Sequence, residues 1–251
     1  DDCVVTHSIE FIKGVRDRDG EDEICSKVLI RAFADACRVP FELTISLDAR
    51  ERVDVVSSPT RDVVVQLLDG VVPALTMHSD GEIEPGTPNC VGVLAGSFNP
   101  LHDAHQDLAV VASTLLGGDV CFEISYVNVD KPPMNQFEIK QRMMQFMDKG
   151  VVVVSNAPVF HKKARLFPGR VFVVGWDTVT RLISPVYYGG DFSEMIESLS
   201  EIRGLGCKFL VAGRLEGKVF RTLEDIKVPC KFTDMFTAIS ESVFRSDISS
   251  T

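Results

Sequence analysis

A chain of 251 residues with 45% hydrophobic content can hold one large domain, or one domain with an appendage, around a core of its own. A net charge of −10 excludes a broad nucleic-acid surface, so an anionic substrate must be met by a few local Lys, Arg and His side chains. Seven cysteines, at 3, 25, 37, 90, 121, 207 and 230, lack a C-x-x-C pair and are odd in number, which points to reduced thiols in an intracellular compartment rather than a disulfide framework or a zinc site.

Residues 1–90 read as an N-terminal appendage and linker. Val4 to Ile12 contains an alternating stretch, and Gly20-Glu21-Asp22 precedes a helical pattern with Ile24, Val28, Leu29, Ala32, Phe33 and Ala36 on one face. A lone strand and helix cannot bury that face, so it is expected to dock on the rest of the chain, on a second copy or in a larger assembly. Thr60 to Leu68 predicts a second helix, and Asp80 to Pro88 reads as a solvated linker with a turn. The chain starts at Asp1 rather than Met, which leaves a removed targeting segment open, and cytoplasm and organelle are not distinguished. No apolar run approaches the roughly 18 residues of a membrane span.

Residues 91–251 read as a domain in which strand and helix alternate. Val91 to Ala95 is a short buried strand that breaks at Gly96, turns through Asn99-Pro100 and enters a helix carrying His102 and His105. Strand, glycine turn and helix N-terminus together make a cradle for phosphate, because glycine allows close backbone approach and the first helical turn presents free N–H groups. Imidazoles three residues apart share one face of that turn and can address the same anion. A core histidine beside a surface histidine is the plainer alternative.

Asp107 to Leu116 then predicts a helix with a glycine end, and Cys121 to Val129 a strand. Asn135 with Glu138 caps a helix running to Lys149. Val151 to Val154 and Val171 to Val174 are apolar runs of central parallel strands. Asp191 with Glu194 caps a helix that turns Phe192, Met195, Ile196, Leu199 and Ile202 inward, and Lys208 to Ala212 is the last clear central strand. The expected fold is α/β, a Rossmann-like, doubly wound parallel sheet with a small N-terminal strand–helix appendage. Residues that follow strands in such a sheet stand where ligands bind, namely Lys131, the run Gly175-Trp176-Asp177, and Arg214. Each has a plainer reading as well: a solvated lysine, a packed tryptophan, an aspartate N-cap and a surface arginine. His161, Lys162, Lys163 and Arg165 form a dense basic cluster, either a phosphate contact or a solvated face.

Gly96-Ser97-Phe98-Asn99-Pro100-Leu101-His102-Asp103-Ala104-His105 resembles the G-S-F-[D/N]-P-x-H-x-G-H signature of the nucleotidylyltransferase superfamily, which includes the nicotinate and nicotinamide mononucleotide adenylyltransferases. Nine of the ten positions match; Ala104 stands where the family has glycine. Gly175-Trp176-Asp177 is similar to the family's G-x-D, with the acid near the ribose, and Gly213 to Gly217 to its R-x-G segment, with Arg214 toward acceptor or triphosphate. Ile248-Ser249-Ser250-Thr251 resembles the start of I-S-S-T-x-x-R, and the sequence ends before the arginine. Lys13 to Arg18 and the helix after it resemble the tail of a CinA-like domain.

The resemblance implies transfer of an adenylyl group from ATP, carried with Mg²⁺, to a small phosphorylated acceptor such as nicotinate or nicotinamide mononucleotide. In it His102 and His105 hold the phosphates and stabilise developing charge, Ser249, Ser250 and Thr251 bind the outer phosphates, and Gly96, Ser97 and Phe98 form the floor. No resident metal site is implied. The competing reading is a catalytically degraded homologue serving as a structural or nucleotide-binding subunit, motivated by Ala104, the absent arginine and the appendage.

Overall fold

Eight strands make the sheet on which the molecule is built, in the order β12-β9-β8-β5-β6-β7-β3-β4. They are β3 (Ala74–Met77), β4 (Ile83–Pro85), β5 (Gly92–Ala95), β6 (Val120–Ser125), β7 (Val152–Ser155), β8 (Val171–Gly175), β9 (Lys208–Ala212) and β12 (Phe236–Ala238). The computed structural model describes residues 3–37, 39–40, 42–59, 62–127, 132–217 and 219–245. They divide into two compact units, Asp1–Asp62 and Val63–Thr251.

The first unit pairs β1 (Cys3–Glu10) with β2 (Arg52–Pro59) in an antiparallel ladder, with α1 (Arg18–Ala36) between them in sequence. Asp17 caps α1 by accepting the Gly20 N–H, so Gly20, Glu21 and Asp22, expected ahead of the helix, lie within it. Arg16 grips Glu51 through two guanidinium nitrogens, 2.7 and 2.9 Å from Oε2, and donates to the Ser46 carbonyl. The first strand therefore finds its partner in β2, a strand that the alternation did not reveal. The expected apolar face of α1 is narrower than its spacing suggests: Ile24 and Val28 are buried, whereas Leu29 and Phe33 are 59% and 66% exposed.

The second unit is doubly wound. From β5 the chain runs through α3 (Asp103–Leu116) to β6 and through α4 (Gln136–Met144) to β7. It then returns to the other side of β5 for β8, β9 and β12. Central strands are continuous Val-rich runs because both faces are covered. Leu94, Phe122, Ile124, Val154 and Val173 face α2 (Val63–Leu68), α3 and α4. Val93, Cys121, Val153, Phe172 and Phe209 face α5 (Phe160–Leu166), α6 (Trp176–Leu182) and α7 (Phe192–Gly204). The strand order reverses between β5 and β8, and the crevice beyond their carboxyl ends is the position where such sheets take ligands.

Several boundaries differ from the sequence reading. Residues 63–90, assigned there to the appendage and linker, belong to the second unit: β3 pairs with β7 and β4 with β3, both antiparallel, so part of the expected linker is an edge strand. The helix after Asn135 stops at Met144 rather than Lys149, and the following turns reach Asp148, in the left-handed region at φ 58°, before Gly150. The strand from Cys121 ends at Ser125, as residues 126–127 leave the ladder. Phe192 is 58% exposed, being the first residue of α7, while Met195, Leu199 and Ile202 are buried as expected. No helix among the described residues is long and apolar enough to cross a membrane.

Candidate active site

The loop that leaves β5 is shaped by Phe98. Its backbone sits at φ 42°, its side chain is 2% exposed, and its ring meets Phe122, Phe146 and His105 edge to face at 5.4, 5.6 and 4.9 Å. That ring folds back over Gly96, where a Cβ would lie 2.8 Å from its tip. Glycine is thus required here by the Phe98 ring, a reason internal to the fold beside the ligand approach expected from sequence. Gly96 and Ser97 themselves are exposed at the mouth of the sheet.

His102 is the N-cap of α3, not a residue within it, and extended backbone (φ −134°, ψ 167°) carries it into the helix. The rings of His102 and His105 stack, with centroids 3.6 Å apart and an interplanar angle of 22°. Both ring nitrogens of His102 are buried and have no hydrogen-bond partner. The first-turn N–H of His105 donates to the His102 carbonyl at 2.9 Å, which leaves the Asp103 and Ala104 N–H groups ahead of the first intrahelical bond. His105 Nδ1 accepts the His102 N–H at 3.4 Å, which leaves the proton of the neutral ring on Nε2 as a donor. Burial, with the neighbouring His102 second, lowers the His105 pKa to about 4, so this ring is neutral near pH 7. Ala104, half-buried, lies between the two histidines on the first turn.

α4 holds this loop in place through two residues that sequence reasoning missed. Gln145, just past the helix end, accepts the Leu101 N–H at 2.9 Å and donates to the Phe98 carbonyl at 3.3 Å. Arg142 donates to the Ser97 carbonyl at 2.6 Å. α4 owes its start to the Asn135–Glu138 capping box, so a locally coded cap positions a clamp that acts on a loop over 40 residues earlier.

Beyond β8 and β9 lies a cavity of about 580 Å³ whose lining includes Trp176, Asp177, Arg181, Tyr187, Arg214 and Glu216. Gly175 is the N-cap of α6, and Asp177 stands inside the helix, so the N-cap reading of Asp177 does not hold. Asp177 instead forms an ion pair with Arg214. The aspartate and the arginine, 37 positions apart, thus act as one group, with the arginine's charge offset. Trp176 presents a buried indole N–H with no partner. Arg214 opens a hairpin of β10 (Arg214–Glu216) and β11 (Val219–Arg221). Gly213 before it is forced, because a Cβ there would lie 2.5 Å from the Phe220 ring.

The structure thus brings Gly96, Ser97, Phe98, His102, Ala104 and His105 together over β5, and Trp176, Asp177 and Arg214 together over β8 and β9. Lys131, Ser249, Ser250 and Thr251 lie outside the described residues. The basic cluster divides: Lys162 and Arg165 are exposed, as a solvated face requires, whereas Lys163 is not. Lys163 is 6% exposed and is held by both oxygens of Glu123 at 2.7 and 2.6 Å, with Ser155 donating to the same carboxylate. Arg165 pairs with Glu201, and His161 bonds Ser198 at 3.0 Å. Among the described residues no group of three or more His, Cys, Asp or Glu side chains is placed to hold a metal ion.

Residues 93–251 match the family model described as cytidylyltransferase-like. Comparison with curated proteins and with solved structures gave no match.

Proposed function

The chain belongs to the cytidylyltransferase-like family, and from that premise we propose that it transfers an adenylyl group from ATP to a phosphorylated acceptor such as nicotinate or nicotinamide mononucleotide, releasing pyrophosphate. Family membership supports nucleotidyl transfer in general. The observation that carries the finer reading is the stacked His102–His105 pair on the first turn of α3, at the end of central strand β5 and beside the crevice to β8.

No protein nucleophile is needed. A phosphate oxygen of the acceptor attacks the α-phosphorus in line, a new P–O bond forms, and the bond from the α-phosphorus to the bridging oxygen of pyrophosphate breaks. Catalysis then consists of positioning and of meeting charge that grows on the bridging and non-bridging oxygens. Neutral His105 offers Nε2–H, His102 offers unpartnered ring nitrogens, and the Asp103 and Ala104 N–H groups at the start of α3 complete the cradle. Mg²⁺ arrives as part of the triphosphate substrate. Trp176, with its unpartnered N–H, and the Asp177–Arg214 pair are assigned to nucleoside or acceptor. Ser249, Ser250 and Thr251 take phosphate contacts on the strength of the motif alone, and Lys131 on the strength of its place after a strand.

One observation favours a second reading, a degraded homologue that binds nucleotide or scaffolds an assembly: Ala104 puts a methyl group on the first turn of α3 where the resembling motif has glycine. Mass-spectrometric product analysis separates the two. With Mg²⁺ and each pairing of ATP or CTP with nicotinate or nicotinamide mononucleotide, the proposal expects an adenine dinucleotide. Absence of any dinucleotide and of ATP binding would overturn it in favour of the second reading, with Ala104→Gly the first variant to make.

A further inference from the structure

Two buried cysteines at the other end of the sheet take no part in the reaction above. Cys90 lies just before β5, and Cys121 lies on β6, paired in register with Val93. Cys90 is 3% exposed, Cys121 1%, and their sulfurs are 2.8 Å apart across 31 positions of sequence. That gap exceeds a disulfide bond of ~2.0 Å by about 0.8 Å, a distance that side-chain rotation can close. We propose that Cys90 and Cys121 form a redox-active dithiol, which peroxide converts to an intramolecular disulfide stapling the β5–α3–β6 unit.

The two sulfurs have different roles. Sharing a hydrogen bond with Cys121 lowers the Cys90 pKa, and Arg170 adds a positive field, whereas the same partner and burial raise Cys121. Arg170 donates to Asn89, the exposed residue next to Cys90 in the chain. The Cys90 thiolate attacks one peroxide oxygen, the O–O bond breaks, and the second oxygen leaves as hydroxide and takes up a proton to become water. The Cys121 sulfur then attacks the resulting sulfenic acid, the S–S bond forms, and the hydroxyl leaves as a second water with the Cys121 proton. Two electrons pass from the two sulfurs to peroxide. Cys25, Cys37 and Cys230 are exposed single thiols, and Cys207 donates to the Phe167 carbonyl. The staple spans the whole segment that carries His102 and His105.

The test uses the full chain, fully reduced, exposed to hydrogen peroxide and then alkylated under denaturing conditions. Peptide mapping is expected to find Cys90 joined to Cys121, lighter by two hydrogens. The linked protein is expected to melt roughly 5–10 °C above the reduced form. In Cys121→Ser, Cys90 is expected to accumulate as a dimedone-reactive sulfenic acid; in Cys90→Ser, Cys121 is expected to stay alkylatable. Recovery of both thiols from oxidised wild-type protein, or linkage of either to another cysteine, would overturn the proposal, and a linked protein that melts no higher would overturn the stapling role.

Discussion

His105 shows how burial sets the chemistry of a single side chain. Its folded pKa of about 4 lies below the unfolded value near 6.5, so protons favour the unfolded chain. The stability this ring contributes is complete above about pH 6.5 and is lost as pH falls toward 4. After allowing for partial solvent access, the loss is about 1–2 kcal/mol. Thermal melts of wild type and His105→Gln across that window are expected to diverge, with the variant less sensitive to acid; parallel curves would contradict the buried, neutral ring. At this scale, the sequence grouped residues that lie in one contiguous stretch, and the structure gathers Gly96 to His105 at the end of β5. It misled where a partner lies far away along the chain. Asp177 looks like an N-cap until Arg214 is brought to it, and Lys163 looks solvated until Glu123 on β6 supplies a buried counter-charge.

Among the elements, α4 makes contacts with the loop after β5 that the sequence did not show. Its Asn135–Glu138 box was legible because both halves of the motif lie within four residues. Its clamp was not, because nothing in Arg142 or Gln145 names Ser97, Phe98 or Leu101 as partners. Gln145→Ala removes two hydrogen bonds from the loop and is expected to lower stability by about 1–2 kcal/mol. In a transfer assay it is also expected to raise KM for nucleotide several-fold, because the loop before His102 loses its hold. Denaturant melts and steady-state kinetics check both effects, and a variant with unchanged stability and KM would refute the clamp. Short strands escaped the sequence reading for physical reasons. β3 is four residues with every side chain buried and so lacks alternation, while β4 is Ile-Glu-Pro on an edge and resembles a turn.

For the whole molecule, the doubly wound sheet followed from alternating apolar runs and caps, whereas the strand order that puts the switch point between β5 and β8 was not legible in them. The boundary did not follow. Composition changes near residue 90 and the family match begins at 93, yet α2, β3 and β4 belong to the sheet's unit. Val64, Leu67, Leu75 and Met77 are all at most 1% exposed, so cutting at residue 91 would strip a packed edge from β7. A chain of residues 63–251 is therefore expected to melt cooperatively, and one of residues 91–251 to aggregate or lose its transition. Equal cooperative melts for the two chains would show that the antiparallel edge is dispensable.

The central claim, that the His102–His105 cradle performs nucleotidyl transfer, is tested most directly by pyrophosphate release with Mg²⁺, ATP and nicotinate or nicotinamide mononucleotide, in wild type and His105→Ala. The account predicts turnover in wild type and a loss of about 100-fold or more in the variant, with its far-ultraviolet spectrum unchanged. A folded His105→Ala protein that releases pyrophosphate at the wild-type rate would contradict it.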